Sequence, residues 1–252
     1  ATARRNLGGA GTLQAGLGFG GYTTTSVANT EEFTSSINVT TAAAWASGGN
    51  MGTARANLAG GGTQTEGLVF GGLITPGTPS DATEEYDGSA WTGGGNMGTG
   101  RYSLAGCGTQ TAGLAFSGST GTVNVTATEE YDGSAWTGGG NMGTTRGSLA
   151  GAGTQTAGLA FGGREAPTNF AATEEYDGSS WTTGGNLSTA RYTLAGAGTQ
   201  TAGLGFGGYT TTTVNATEEY DGTSWTAGGN MGTTRSSLAG SGTQTAALGF
   251  GG

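Results

Sequence analysis

The residues best suited to chemistry in this 252-residue chain come in copies. Adjacent carboxylates stand at Glu31/Glu32, Glu84/Glu85, Glu129/Glu130, Glu174/Glu175 and Glu218/Glu219, and arginines recur at Arg5, Arg55, Arg101, Arg146, Arg191 and Arg235. A carboxylate pair suggests the acid and base of a glycosidase. Neighbouring residues of a strand project to opposite faces, however, so no adjacent pair can straddle one glycosidic bond. One Glu of each pair is expected to meet an arginine of a neighbouring strand and the other to be solvated. The arginines allow a second chemistry. If each opens the innermost strand of a ring, six guanidinium groups converge near the axis and grip a carboxylate or sulfate bidentately. Their alternative use is structural pairing with the glutamates. The chain has no His, which excludes Ser-His-Asp and Cys-His nucleophilic systems and the commonest metal ligand. Cys107 occupies a position filled in the other copies by Ala10, Gly61, Ala152, Ala197 and Ser241, and reads as a small packing residue. No catalytic residue, metal site or cofactor is expected, and the chain reads as a non-enzyme.

The elements that must position these groups follow from the repeat. Trp45, Trp91, Trp136, Trp181 and Trp225 are spaced by 46, 45, 45 and 44 residues, each after a segment such as Glu84-Glu85-Tyr86-Asp87-Gly88. A second module, typified by Arg191 to Gly208, recurs between the tryptophans. Within each unit, short runs alternate with a period of two between turn residues, the pattern of strands. Leu204 and Phe206 share one face of such a strand, and Gly203 and Gly205 share the other, where a neighbour can approach closely. Thr217 to Tyr220 gives a third strand, Asp221-Gly222 a tight turn, and Trp225-Thr226 a fourth. Four strands in about 45 residues make one blade of a β-propeller. The expected fold is therefore all-β, a single propeller domain over residues 1–252. Its approximate units are 4–47, 55–92, 101–137, 146–182 and 191–226, with a half unit at 235–252. Gly interrupts every run, which disfavours a helical solenoid; a β-solenoid or stacked sheet array is the lesser alternative.

The unit resembles the kelch repeat. The resemblance rests on the doublets Gly71-Gly72, Gly162-Gly163 and Gly207-Gly208, on Tyr86/Trp91, Tyr131/Trp136, Tyr176/Trp181 and Tyr220/Trp225, and on the arginine that opens each next unit. Ser117-Gly118 replaces one doublet, and Phe33 stands for one Tyr, with a longer stretch from there to Trp45. The copper-radical oxidase of the galactose oxidase type also resembles a kelch propeller, but its copper site uses His. The inner module occurs six times and the Glu-Glu-to-Trp module five times. Six blades, the last incomplete, are preferred because an unpaired inner hairpin exposes sheet edge; five blades are the alternative.

Composition bounds the partners. A net charge of −9 argues against nucleic acid and against an anionic membrane surface. No apolar run approaches the length of a membrane span. The opening Ala1-Thr2-Ala3-Arg4 resembles Thr53-Ala54-Arg55, as expected of a stretch taken from inside a longer array. Sequence varies most in the connection after each Gly-Gly doublet, which holds all three prolines. Tyr22, Ile74, Phe170 and Tyr209 in these connections, together with Arg55, Arg101, Arg146, Arg191 and Arg235, are the expected ligand-binding residues. Gln14, Gln64, Gln110, Gln155, Gln200 and Gln244 lie in the first turns and suit either sugar binding or a plain soluble turn. Sequons stand at Asn38, Asn124 and Asn215. Lys-free, Gly/Thr/Ser-rich repeats resemble those of kelch-type bacteriophage structural proteins. The expected role is a structural or adhesive display module on a virion, fibre or cell surface. Its partners would be other subunits of that assembly, reached in part through the incomplete blade, or surface glycans. A lectin-like binder and a protein-interaction propeller are the alternatives.

Overall fold

The computed structural model describes residues 3–34, 44–75 and 77–252. Asn38, Pro76 and most of the longer stretch between Phe33 and Trp45 lie outside the described residues. Five four-stranded antiparallel sheets form in chain order. The first holds β1 (Gly8–Gly11), β2 (Ala15–Phe19), β3 (Thr30–Thr34) and β4 (Ala44–Ser47). The second holds β5 (Ala59–Gly62), β6 (Gly67–Phe70), β9 (Thr83–Tyr86) and β10 (Trp91–Gly93), with the small hairpin β7 (Leu73–Ile74) and β8 (Thr78–Pro79) set into its middle connection. β11 (Ala105–Thr109), β12 (Ala112–Phe116), β13 (Thr128–Tyr131) and β14 (Trp136–Gly138) make the third. The fourth comprises β15 (Ala150–Thr154), β16 (Ala157–Phe161), β19 (Thr173–Tyr176) and β20 (Trp181–Thr183), again with a small hairpin, β17 (Arg164–Glu165) and β18 (Thr168–Asn169). β21 (Ala195–Thr199), β22 (Ala202–Phe206), β23 (Thr217–Tyr220) and β24 (Trp225–Ala227) complete the fifth. β25 (Leu238–Gly242) and β26 (Ala247–Gly251) form a two-stranded sheet.

This is an all-β propeller of four-stranded blades. The expectation of six blades is corrected to five, because among the described residues β26 pairs with β25 alone and no Glu-Glu strand lies beside it. The leftover hairpin is not loose. β25 packs against β21 of the fifth blade on one side and β1 of the first on the other, so the ring of inner strands closes through it.

Closure is also written in the backbone. Just before each inner strand, one short polar residue adopts a left-handed conformation, with φ between 52° and 57°: Asn6, Asn57, Ser103, Ser148, Thr193 and Ser237. The amide of each donates to the carbonyl of its counterpart in the preceding unit at 2.8–2.9 Å. Asn6 donates to Ser237, so the six peptides form an unbroken circle around the axis.

The alternation of large and absent side chains sets the spacing between blades. Leu114 and Phe116 of β12 press on the next blade, where a Cβ added at Gly158 would lie 2.7 Å from Leu114 Cδ2 and one at Gly151 2.8 Å from Phe116 Cζ. Leu159 and Phe161 press in the same way on Gly203 and Gly205. The large face of one blade thus fills the glycine face of the next, and Leu17, Leu68, Leu114 and Leu159 are fully buried in a protein with few apolar residues.

Candidate functional site

The ionisable copies are placed inside the scaffold. Arg55, Arg101, Arg146 and Arg191 are fully buried, and their guanidinium groups meet Glu84, Glu129, Glu174 and Glu218 at 2.6, 2.6, 3.2 and 3.0 Å. Arg101 also donates to the carbonyls of Ser117 and Ala127, at 2.9 and 2.8 Å. The carboxylate's other oxygen accepts the amide of Gly98 at 2.6 Å, so Glu129 ties the third strand to the preceding connection. Burial pulls the Arg101 guanidinium below its usual pKa, and Glu129 opposes that pull. In the first unit the structure puts Arg4, not Arg5, in this role, 3.6 Å from Glu31. Arg5 lies on the surface of the variable rim, over the ring of Tyr22. Arg235 is half-buried and bonds Thr233 Oγ1; among the described residues it has no ion pair. The convergent cluster of six arginines is therefore not formed by the four buried side chains.

In four of the five pairs the second Glu is not merely solvated, whereas Glu219 is exposed as expected. Tyr131 donates to Glu85 Oε1 at 2.6 Å across the blade boundary, and Tyr86, Tyr176 and Tyr220 donate in the same way to Glu32, Glu130 and Glu175 at 2.5 Å. Burial, followed by these bonds, pushes the four phenols up to about 12. The indoles add a second joint, since Nε1 of Trp91, Trp136, Trp181 and Trp225 donates to Thr30, Thr83, Thr128 and Thr173 of the preceding blade, each at 2.9 Å. The glutamines make a third. Gln64, Gln110, Gln155, Gln200 and Gln244 donate to the carbonyls of Phe33, Tyr86, Tyr131, Tyr176 and Tyr220 at 2.7–2.9 Å. These five amides are thus engaged between blades rather than offered as a crown of sugar ligands.

What varies is gathered on one rim. Each connection after a Gly-Gly doublet folds back to bridge the residue preceding the circle of peptides: Arg5 with Tyr22, Ala56 with Leu73, Tyr102 with Ser119, Gly147 with Arg164, and Tyr192 with Tyr209. Tyr22, Ile74, Phe170 and Tyr209 are all half-buried in these connections. Tyr192 and Tyr209 meet edge to face at 5.5 Å, and the Arg164 guanidinium lies 5.0 Å over the Tyr192 ring and donates to its hydroxyl. Tyr102, Asn124, Arg164 and Tyr192 border a cavity of about 250 Å³, and Arg5, Tyr22 and Leu73 one of about 510 Å³. Tyr102, Tyr192 and Arg164 were not singled out by sequence. For Tyr102 and Tyr192 the available signal was that the residue after each buried arginine changes in size and character from unit to unit, being Arg5, Ala56, Tyr102, Gly147 and Tyr192. Of the sequons, Asn124 donates to Glu165 and Asn215 to the Met231 carbonyl.

Cys107 is buried, its thiol pushed up to about 12 by burial. Among the described residues no group of three or more His, Cys, Asp or Glu is placed to hold a metal ion, and no helix is long and apolar enough to cross a membrane. Comparison with protein-family models and with curated proteins gave no match.

Proposed function

We propose that the chain is a non-catalytic structural or adhesive display module, a rigid ring that carries a variable rim as part of a larger extracellular or virion-surface assembly. The observation that carries this reading is how the ionisable repeats are used. Each buried Arg–Glu pair, Tyr–Glu bond and Gln clamp holds one blade to itself or to the next. A catalytic centre needs titratable groups aimed at a substrate, whereas here the repeated ones are aimed at the scaffold. Buried ion pairs of this kind add less to net stability than to a unique register, which suits a part that must present a fixed surface. The units are read as kelch-type, on the strength of the glycine doublets at positive φ, the Tyr–Trp pair and the buried arginine.

Fractionation of the native source tests the reading. The chain is expected to travel with a particle, fibre or surface assembly in fixed stoichiometry, and recovery only as a free soluble species would refute it. The Tyr192–Tyr209 pair with Arg164 favours one second reading, a carbohydrate-binding rim, because aromatic faces beside hydroxyls and a guanidinium suit sugars. Binding on a glycan array that is lost in Tyr192→Ala and Tyr209→Ala would establish it.

A further inference from the structure

The chain carries eight basic side chains, all of them Arg, within a net charge of −9, and Arg4, Arg55, Arg101, Arg146 and Arg191 face glutamates inside the scaffold. Arg164 is held differently. Its guanidinium lies 5.0 Å over the Tyr192 ring, and Nη1 donates to the Tyr192 hydroxyl at 3.2 Å. Tyr209 backs the same ring edge to face. Among the described residues Nη2 has no partner, Nε is buried without one, and no carboxylate pairs with the group. A guanidinium fixed on an aromatic plane with donors left to offer is suited to reading a carboxylate.

The repeat opens a space beside it. The residue that follows the buried arginine is Tyr102 in the third unit, Gly147 in the fourth and Tyr192 in the fifth. The missing side chain between two tyrosines leaves a slot of about 250 Å³, bordered by Tyr102, Gly147, Arg164 and Tyr192, with Ser119 and Asn124 also lining it. Asn124 is fixed in place. Its Nδ2 donates to the exposed Glu165 at 2.5 Å, and its Oδ1 lies 3.0 Å from where a Cβ on Gly147 would stand. The amide oxygen is thus turned to the Gly147 floor, where it can accept from a hydroxyl.

We propose that this slot binds an acidic sugar, a hexuronic acid residue whose carboxylate meets Arg164 and whose ring lies against Tyr102. The inference rests on the carbohydrate-rim reading and narrows it to one slot and one class of sugar. Each part of such a ligand has a reader. The planar carboxylate matches the fork of the guanidinium, the apolar face of the ring matches the tyrosine, and the hydroxyls match Asn124 and Ser119. The volume lies just below the roughly 300 Å³ at which pockets for drug-sized ligands begin, which suits a single sugar ring rather than an extended chain. A neutral sugar leaves the Arg164 donors without an ionic partner, and an acidic peptide side chain leaves the tyrosine wall and the Asn124 oxygen unused. Long-range attraction does not assist, because a chain of net charge −9 repels anions overall. Selection therefore comes from contact with Arg164 itself.

The test is a titration of the isotope-labelled full chain with glucuronate, followed by amide NMR shifts, with glucose and acetate as probes of the ring and of the carboxylate alone. Saturable shifts at Gly147, Arg164 and Tyr192 are expected with glucuronate, at a Kd on the order of 1 mM for a ligand of so few atoms. Glucose and acetate are expected to bind at least about tenfold more weakly. Arg164→Gln is expected to bring glucuronate down to the level of glucose, whereas Arg5→Gln makes the same change in net charge outside the slot and is expected to leave glucuronate binding unchanged. Gly147→Tyr places in the fourth unit the side chain that Tyr102 and Tyr192 supply on either side, and is expected to abolish the shifts with Arg164 still present. Should Arg164→Gln fail to fold, Gly147→Tyr and the two smaller probes decide. Acetate or an acidic peptide binding as tightly as glucuronate, or glucuronate binding that survives Arg164→Gln or falls equally with Arg5→Gln, would overturn the proposal. Neutral glycans bound at Tyr192 and Tyr209 and indifferent to Arg164→Gln would overturn it while keeping the carbohydrate rim, and absence of binding to any sugar would remove both.

Discussion

Changing Tyr131 to Phe removes one oxygen from the joint between the second and third blades and leaves the ring packed on Trp136 at 5.0 Å. The lost hydroxyl donates to Glu85 Oε1 at 2.6 Å and accepts the Gly95 amide at 3.3 Å. A hydrogen bond to a charged acceptor contributes about 1.5–3 kcal/mol. Glu85 is only half-buried and can recover some hydration, which places the cost in the lower half of that range, at about 2 kcal/mol. For a chain of this size that lowers Tm by roughly 4–8 °C. Phe33, which occupies the same position in the first blade, shows that the ring alone fits. Urea denaturation should give a lower midpoint with an unchanged slope, and Tyr131→Phe added to Glu85→Gln should cost much less than on its own. The pH dependence supplies a sign. The folded phenol titrates at about 12, above the ~10 of an unfolded tyrosine. The hydroxyl's contribution is therefore fully present below pH ~10 and is lost as pH rises towards 12. The stability gap between wild type and variant should close over that window. A difference below ~0.5 kcal/mol at neutral pH, or additivity with Glu85→Gln, would refute the reasoning.

Three further outcomes follow from the same structure. Gly158→Val should destabilise by about 1–3 kcal/mol through overpacking against Leu114, whereas Gly138→Ala, with nothing within 4 Å of the new Cβ, should stay within ~0.5 kcal/mol; thermal melts of both check this. Thr193→Asn should stabilise by about 1 kcal/mol, because a β-branched residue at φ 52° is strained where Asn6 and Asn57 occupy the same left-handed position; a higher urea midpoint is the readout. Cys107 should resist thiol reagents in the native protein and react only on unfolding, and rapid stoichiometric labelling under native conditions would contradict its burial.

Much of the fold was legible because the features that build it are periodic. The tryptophan spacing gave the unit, and Leu204/Phe206 against Gly203/Gly205 gave the packed and open faces of a strand. Direction was not legible. Nothing in the sequence around Arg101 tells whether its guanidinium points to the axis or into the blade; that is decided by Glu129 on a strand 28 residues later and by the carbonyls of Ser117 and Ala127. The register of the first unit was ambiguous because Arg4 and Arg5 are adjacent and chemically alike. Counting back from Leu7, as Leu58 is counted back to Arg55, selects Arg4. The glutamines were open to two readings because their acceptors are backbone carbonyls of another blade, which leave no mark in composition. Blade number turned on strand pairing, and a hairpin can fill a position in the ring without becoming a four-stranded blade.

Among the described residues the inner strands close a full circle, with five four-stranded blades and one two-stranded sheet. Native-state hydrogen exchange at the amides of Asn6, Asn57, Ser103, Ser148, Thr193 and Ser237 tests it most directly, because each donates to the next member of the circle. All six are expected to exchange together in the slowest class, released only by global unfolding. Fast exchange at Asn6 and Ser237, with the other four still protected, would show a ring open beside β25 and would contradict it.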